Sequence, residues 1–118
     1  MFNLPKYGEG ICLARLAALL DALSVDRVRL QRYSVVVTGS NGKGSTAAFA
    51  ASIGRAAGLR SGLFTSPHLY RFNERFQIDG VEIDDDALTE AVLRVATAIA
   101  DLARGGLTEI FGAFEVSA

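Results

Sequence analysis

The chain has 118 residues, half of them hydrophobic and 21% charged, with 12 Lys and Arg against 13 Asp and Glu, the composition of one ordinary globular domain. A chain of this length buries roughly two thirds of its extended surface, so a core forms without staples, and its apolar stretches fall short of the ~20 residues that a membrane-spanning helix needs. The single cysteine, Cys12, cannot close an internal disulfide, and the start of the chain lacks the pattern of a secretory signal, so the expected location is cytoplasmic with no membrane role.

The near-neutral total argues against a nucleic-acid partner, yet it hides an asymmetry. Residues 1–75 carry 10 basic and 4 acidic side chains, whereas residues 76–118 carry 2 and 9. An anionic ligand is therefore expected on the basic part.

In chain order, Leu13, Leu16, Leu20 and Leu23 recur with helical spacing and predict a packing helix over 11–23. Cys12 lies within it and reads as a small hydrophobe. Ser34-Val35-Val36-Val37-Thr38 is a β-branched run that predicts a strand buried on both faces. It leads into Gly39-Ser40-Asn41-Gly42-Lys43-Gly44-Ser45-Thr46, followed by a helix over 47–57 with Phe49 and Ile53 spaced by four and Gly58 as its C′ residue. Residues 60–65 predict a second strand, laid parallel to the first by a right-handed crossover.

Residues 75–78 and 81–83 alternate around Asp79-Gly80, the signature of a β-hairpin. Asp84 is placed to cap the next helix, with Asp85 and Asp86 against its positive end. The acidic triplet thus reads as a solvated helix start in preference to a metal site. Leu88, Val92, Val95 and Ile99 mark the apolar face of that helix to about residue 103, where Gly105-Gly106 breaks it. The tail, with Ile110, Phe111, Phe114 and Val116, looks like the opening of another element.

The chemistry concentrates in the glycine loop. A strand feeding a glycine turn that opens a helix directs several backbone N–H groups, and the positive end of the helix dipole, toward one point, which suits a phosphate. Gly39, Gly42 and Gly44 permit backbone shapes and close approach that a Cβ would block, and Lys43 adds a point charge for phosphate oxygens. At an effective dielectric near 20 that charge is worth roughly 4 kcal/mol at about 4 Å, before desolvation. The general phosphate-loop pattern has a wider glycine spacing and a hydroxyl directly after the lysine; here Gly44 follows Lys43 and the hydroxyl that would meet Mg²⁺ moves to Ser45. A plain strand-to-helix turn is the alternative, but turn geometry alone gives no reason for a lysine between two glycines.

With its departures, Gly39–Thr46 resembles the variant loop of the folylpolyglutamate synthase and dihydrofolate synthase family, which belongs to the Mur-ligase type of ATP-dependent amide-forming enzymes. Phe64-Thr65-Ser66-Pro67-His68-Leu69 and Arg71-Phe72-Asn73-Glu74-Arg75-Phe76 match further family segments in the same order. Ser40 replaces the family's usual Thr.

The resemblance implies an α/β fold: a P-loop-type parallel sheet with flanking helices and a β-hairpin. Residues 1–118 would be the incomplete N-terminal part of a Mur-ligase-like ATPase domain, without the glutamate-binding C-terminal domain. It implies ATP and Mg²⁺ as cofactors. A folate or dihydropteroate carboxylate would be activated as an acyl phosphate and joined to L-glutamate.

Asn41, Gly42, Lys43, Gly44 and Ser45 would cradle the phosphates, with Lys43 acting in catalysis and Ser45 and Ser66 as Mg²⁺ ligands. Phe114 and Glu115 would contact the pterin-bearing substrate, although Gly112 stands where the family segment has Thr. His68 reads as a structural histidine. Arg71, Glu74 and Arg75 read equally as a surface ion-pair group or as a loop over the active site. With the remaining metal ligands beyond residue 118, the chain alone is expected to be inactive, and unpaired strand edges predict self-association. Another Mur-type ligase, a P-loop kinase or GTPase, and a non-catalytic nucleotide-binding module are the competing readings.

Overall fold

The computed structural model describes residues 12–118 except 109, 114, 115, 117 and 118. The sequence expectations for Phe114 and Glu115 thus lie outside the described residues. Four α-helices, α1 (Leu13–Ala22), α2 (Arg27–Tyr33), α3 (Lys43–Ala56) and α4 (Asp85–Arg104), and three strands, β1 (Gly62–Phe64), β2 (Phe76–Ile78) and β3 (Val81–Glu82), form an α/β architecture. The chain divides into two units: residues up to 34 with 90–118, and residues 35–89.

The first unit has a small core of Leu19, Ala98 and Phe111, ringed by Leu23, Val95, Ile99, Leu102 and Leu107. The buried line of α1 is not the predicted one. Leu13 is 75% exposed, whereas Arg15 and Leu19 are 2% and 3% exposed; of the leucine stripe, Leu16, Leu20 and Leu23 are half-buried, and Leu23 packs on the core. Arg15 lies inside with its guanidinium 5.5 Å from the centre of the Phe111 ring, a placement its long apolar stem permits and a count of apolar letters does not show. Helix α2 was not foreseen; Asp26 caps it by accepting a hydrogen bond from the Arg29 amide at 2.9 Å. The expected break after α4 is present: Gly106 has φ +101°, and the Leu107 amide donates to the Leu102 carbonyl at 3.0 Å, closing a Schellman turn.

The second unit holds the glycine loop, α3 and the sheet. Here the predicted strand 34–38 is not formed. Val35 and Val36 are each 83% exposed, and no ladder among the described residues includes them. Valines favour extended backbone, but a strand exists only where a neighbour takes its amides and carbonyls.

The predicted parallel pairing is also replaced. β1 pairs antiparallel with β2, Leu63 opposite Gln77, and β2 with β3, giving the order β1-β2-β3. The connection over 65–75 folds back on itself, and Asp79 ties the start of β1 to the hairpin: the Ser61 amide donates to its Oδ1 at 2.7 Å and the Asp79 amide donates to the Ser61 carbonyl at 2.8 Å. The predicted hairpin itself is present. Asp79 and Gly80 have φ of +52° and +82°, the two positive values of a type I′ turn. The flexible Arg55 guanidinium lies where a Cβ on Gly80 would stand.

Helix α3 starts at Lys43, four residues earlier than the alanine-rich run suggested. It ends as expected, with Gly58 at φ +79° and the Leu59 amide donating to the Gly54 carbonyl at 2.9 Å. Phe49 and Ile53 are exposed.

Candidate functional site

Gly42 is the N-cap of α3 in the left-handed conformation, φ +74°, and Thr46 closes the first turn by donating its amide to the Gly42 carbonyl at 2.9 Å. This conformation costs an L-residue roughly 1–2 kcal/mol and glycine little. No backbone acceptor among the described residues takes the amides of Asn41 to Ser45. A run of available N–H groups therefore stands at the positive end of a 14-residue helix.

Nothing lies within 4 Å of where a Cβ would stand on Gly42 or Gly44, so the loop is open there. Lys43 curls back over it, Nζ donating to the Gly39 carbonyl at 2.6 Å and to the Ser40 carbonyl at 3.4 Å. Its ammonium is thus held at the loop by carbonyl oxygens alone, ready to be taken up by an anion. Free amides, a helix N-terminus and one cation fit the phosphates of a nucleotide.

The second predicted segment forms a cross-tied loop over 65–75. The side chains of Phe64, Phe76, Phe72 and His68 make a stacked row, with ring centres 5.4, 5.5 and 5.7 Å apart in succession. Arg75 lies over the Phe72 ring at 5.0 Å. It also brackets Ser66: its carbonyl accepts from the Thr65 amide at 3.0 Å, and its Nε donates to His68 Nδ1 at 2.9 Å. His68 therefore accepts at Nδ1, as a structural histidine does.

Glu74 accepts three backbone amides, those of Leu69, Tyr70 and Arg71, at 2.7, 2.8 and 2.7 Å. These bonds, led by Leu69 and then Arg71, hold its carboxyl below the usual glutamate range; partial burial opposes them and His68 adds a small lowering.

Buried Asn73 donates to the Ile83 carbonyl at 3.0 Å and to Asp85 Oδ1 at 2.9 Å, the oxygen that also receives Arg71 Nη2 at 2.8 Å. The surface ion-pair alternative for Arg71, Glu74 and Arg75 thus fails in detail: only Arg71 pairs with a carboxylate, and that partner is Asp85. Asp84 caps α4 through the Ala87 amide at 2.7 Å, as its place in the sequence predicts, whereas Asp85 serves the loop. Sequence reasoning missed Asn73 and Asp85 as loop anchors; the only available signal was an acidic residue beyond the one needed for capping.

Ser45 and Ser66 are both exposed. As hard oxygen donors they fit Mg²⁺, which takes few protein ligands and fills its other positions with phosphate oxygens and water.

No family model matches the chain. It is 46% identical over 85 residues to the folylpolyglutamate synthase of Lacticaseibacillus casei, covering 72% of this chain and 19% of that protein. It is 38% identical over 87 residues to the dihydrofolate synthase/folylpolyglutamate synthase of Bacillus subtilis, covering 74% and 20%. A solved FPGS–AMPPCP–folate complex superposes with a TM-score of 0.75 at 37% identity, over 98% of this chain and 27% of that one. The chain thus spans about a fifth of the length of these curated relatives.

Proposed function

Given that the chain belongs, over the stretch it spans, to the folylpolyglutamate synthase and dihydrofolate synthase family, we propose that it provides the phosphate-gripping part of an ATP-dependent ligase that joins L-glutamate to a folate or dihydropteroate carboxylate. The observation that carries this reading is the open amide run at Gly42–Ser45 beneath the Lys43 ammonium. A relative solved with AMPPCP and folate supports ATP and a folate as ligands.

A carboxylate is a poor electrophile, so the reaction needs a leaving group. In the proposed sequence a substrate carboxylate oxygen attacks the γ-phosphorus and ADP departs; the glutamate amine then attacks the acyl carbon and expels phosphate. Asn41 to Ser45 bind and orient the phosphates through their amides, and Lys43 leaves the loop carbonyls to neutralise the charge that moves. Ser45 and Ser66 would hold Mg²⁺, which when bound supplies charge neutralisation between the phosphates.

We assign this stretch the binding and orientation of the ATP phosphates. The exposed valines at 35 and 36 support self-association, to be read by sedimentation across a range of concentrations.

Calorimetric titration with AMPPCP and MgCl₂ tests the reading. Wild type should bind, and Lys43→Ala should lose at least about tenfold in affinity, as expected for a charged hydrogen-bond partner. Equal affinity of the two proteins would reject the site.

A further inference from the structure

Within the loop that carries Ser66, the stretch 69–71 is held by one side chain, Glu74. Between Thr65 and Arg71 the backbone has no helix or ladder of its own. Three consecutive amides, Leu69 to Arg71, converge instead on the two carboxylate oxygens of Glu74, at 2.7 to 2.8 Å. A carboxylate that accepts several amides fixes the backbone they belong to, because each bond is charge-assisted and directional.

The bonds hold a segment that burial does not hold. Leu69 and Tyr70 are 84% and 91% exposed, so packing gives them no fixed position. Glu74 is itself set by its neighbours in the 3₁₀ turn Phe72–Arg75: Asn73 is buried and bonded to Ile83 and Asp85, and Arg75 grips Thr65 and His68 on either side of Ser66.

We propose that Glu74 is a positioning residue: through the amides of Leu69, Tyr70 and Arg71 it fixes the loop that aims the Ser66 hydroxyl at the metal–phosphate group. Both of its carboxylate oxygens are taken up by these amides. The inference rests on the reading of Ser66 given above. It goes beyond that reading by assigning a role to the one acidic side chain of the Arg71–Phe76 segment.

The test uses the full chain and the Glu74→Gln variant, which keeps shape but replaces one acceptor oxygen with a donor facing the amides. Amide exchange by NMR should quicken about tenfold or more at Leu69, Tyr70 and Arg71 in the variant, with the amides of α3 and α4 unchanged. In parallel, AMPPCP affinity is measured with MgCl₂ and with EDTA. Glu74→Gln should lose about tenfold in the magnesium-dependent part, in the same direction as Ser66→Ala, and leave the magnesium-free affinity at wild-type level.

Unchanged exchange at the three amides overturns the anchor. Faster exchange with wild-type magnesium dependence overturns the positioning role and leaves a merely structural one. A wild-type protein whose AMPPCP affinity is indifferent to magnesium overturns the reading of Ser66 and the positioning role with it, an outcome distinct from the other two. Should Glu74→Gln fail to fold, Glu74→Asp, which keeps the charge and loses one methylene of reach, supplies the same comparison.

Discussion

The two loops of the second unit solve opposite problems. The glycine loop, 39–46, makes almost no hydrogen bonds with its amides; its shape comes from positive φ angles at Gly39 and Gly42 and from one lysine folded over two carbonyls. The 65–75 loop has no strained angle of that kind. Its shape comes from side chains: Glu74 on three amides, Asn73 on Ile83, Arg71 on Asp85 and Arg75 on His68. The glycine loop keeps its donors available and is shaped by backbone chemistry, as the proposed phosphate grip requires; the 65–75 loop has its donors taken up internally.

Paired substitutions break this comparison most directly. Lys43→Ala is expected to cost at least about tenfold in AMPPCP affinity yet change unfolding free energy by about 0.5 kcal/mol or less, as an exposed site does. Asn73→Ala should do the reverse in urea unfolding, destabilising by about 1–3 kcal/mol because the Ile83 carbonyl loses its buried donor. If Asn73→Ala leaves stability intact, the second loop is not internally held.

Gly42→Ala is next in size. With φ at +74° and open space around the Cβ position, the cost is conformational, about 1 kcal/mol by thermal or urea unfolding, with no steric part. A larger loss would mean that the loop is packed.

The smallest effect is that of pH on the second loop. Glu74 has its carboxyl held low in the folded chain, chiefly by Leu69 and Arg71. Its contribution is therefore complete above the usual glutamate range and is lost as pH falls through that range to the lowered folded value. The amide signals of Leu69, Tyr70 and Arg71 should shift together in that acid window. A shared midpoint at or above the ordinary glutamate range would contradict the anchor.

What the sequence made legible was local chemistry. Asp79-Gly80 demands a turn with two positive φ angles, Asp84 offers an oxygen to a helix start, Gly58 and Gly106 end helices, and the glycine loop opens one, with Gly42 in the left-handed conformation. Each of these depends on neighbours a few residues away. The misread features depend on distant partners. Val35 and Val36 declare a preference for strand but cannot name the strand beside them. Residues 62–64 could not announce that their partner is the hairpin. Arg15 lies over the ring of Phe111, 96 positions on, a contact that no local pattern shows. Glu74 sits among arginines, which suggested ion pairs, while its actual partners are main-chain amides that no side-chain pattern reveals.

The socket at Gly80 has a consequence for sequence tolerance. Asparagine, which accepts positive φ better than most residues, can stand at Asp79 on conformational grounds, yet at Gly80 any Cβ meets the Arg55 guanidinium. A saturation library at position 80 should be dominated by glycine, because φ +82° strains any L side chain. Repeated in an Arg55→Ala background, the same library should enrich asparagine only slightly, since the guanidinium is the far end of a flexible side chain and can move aside.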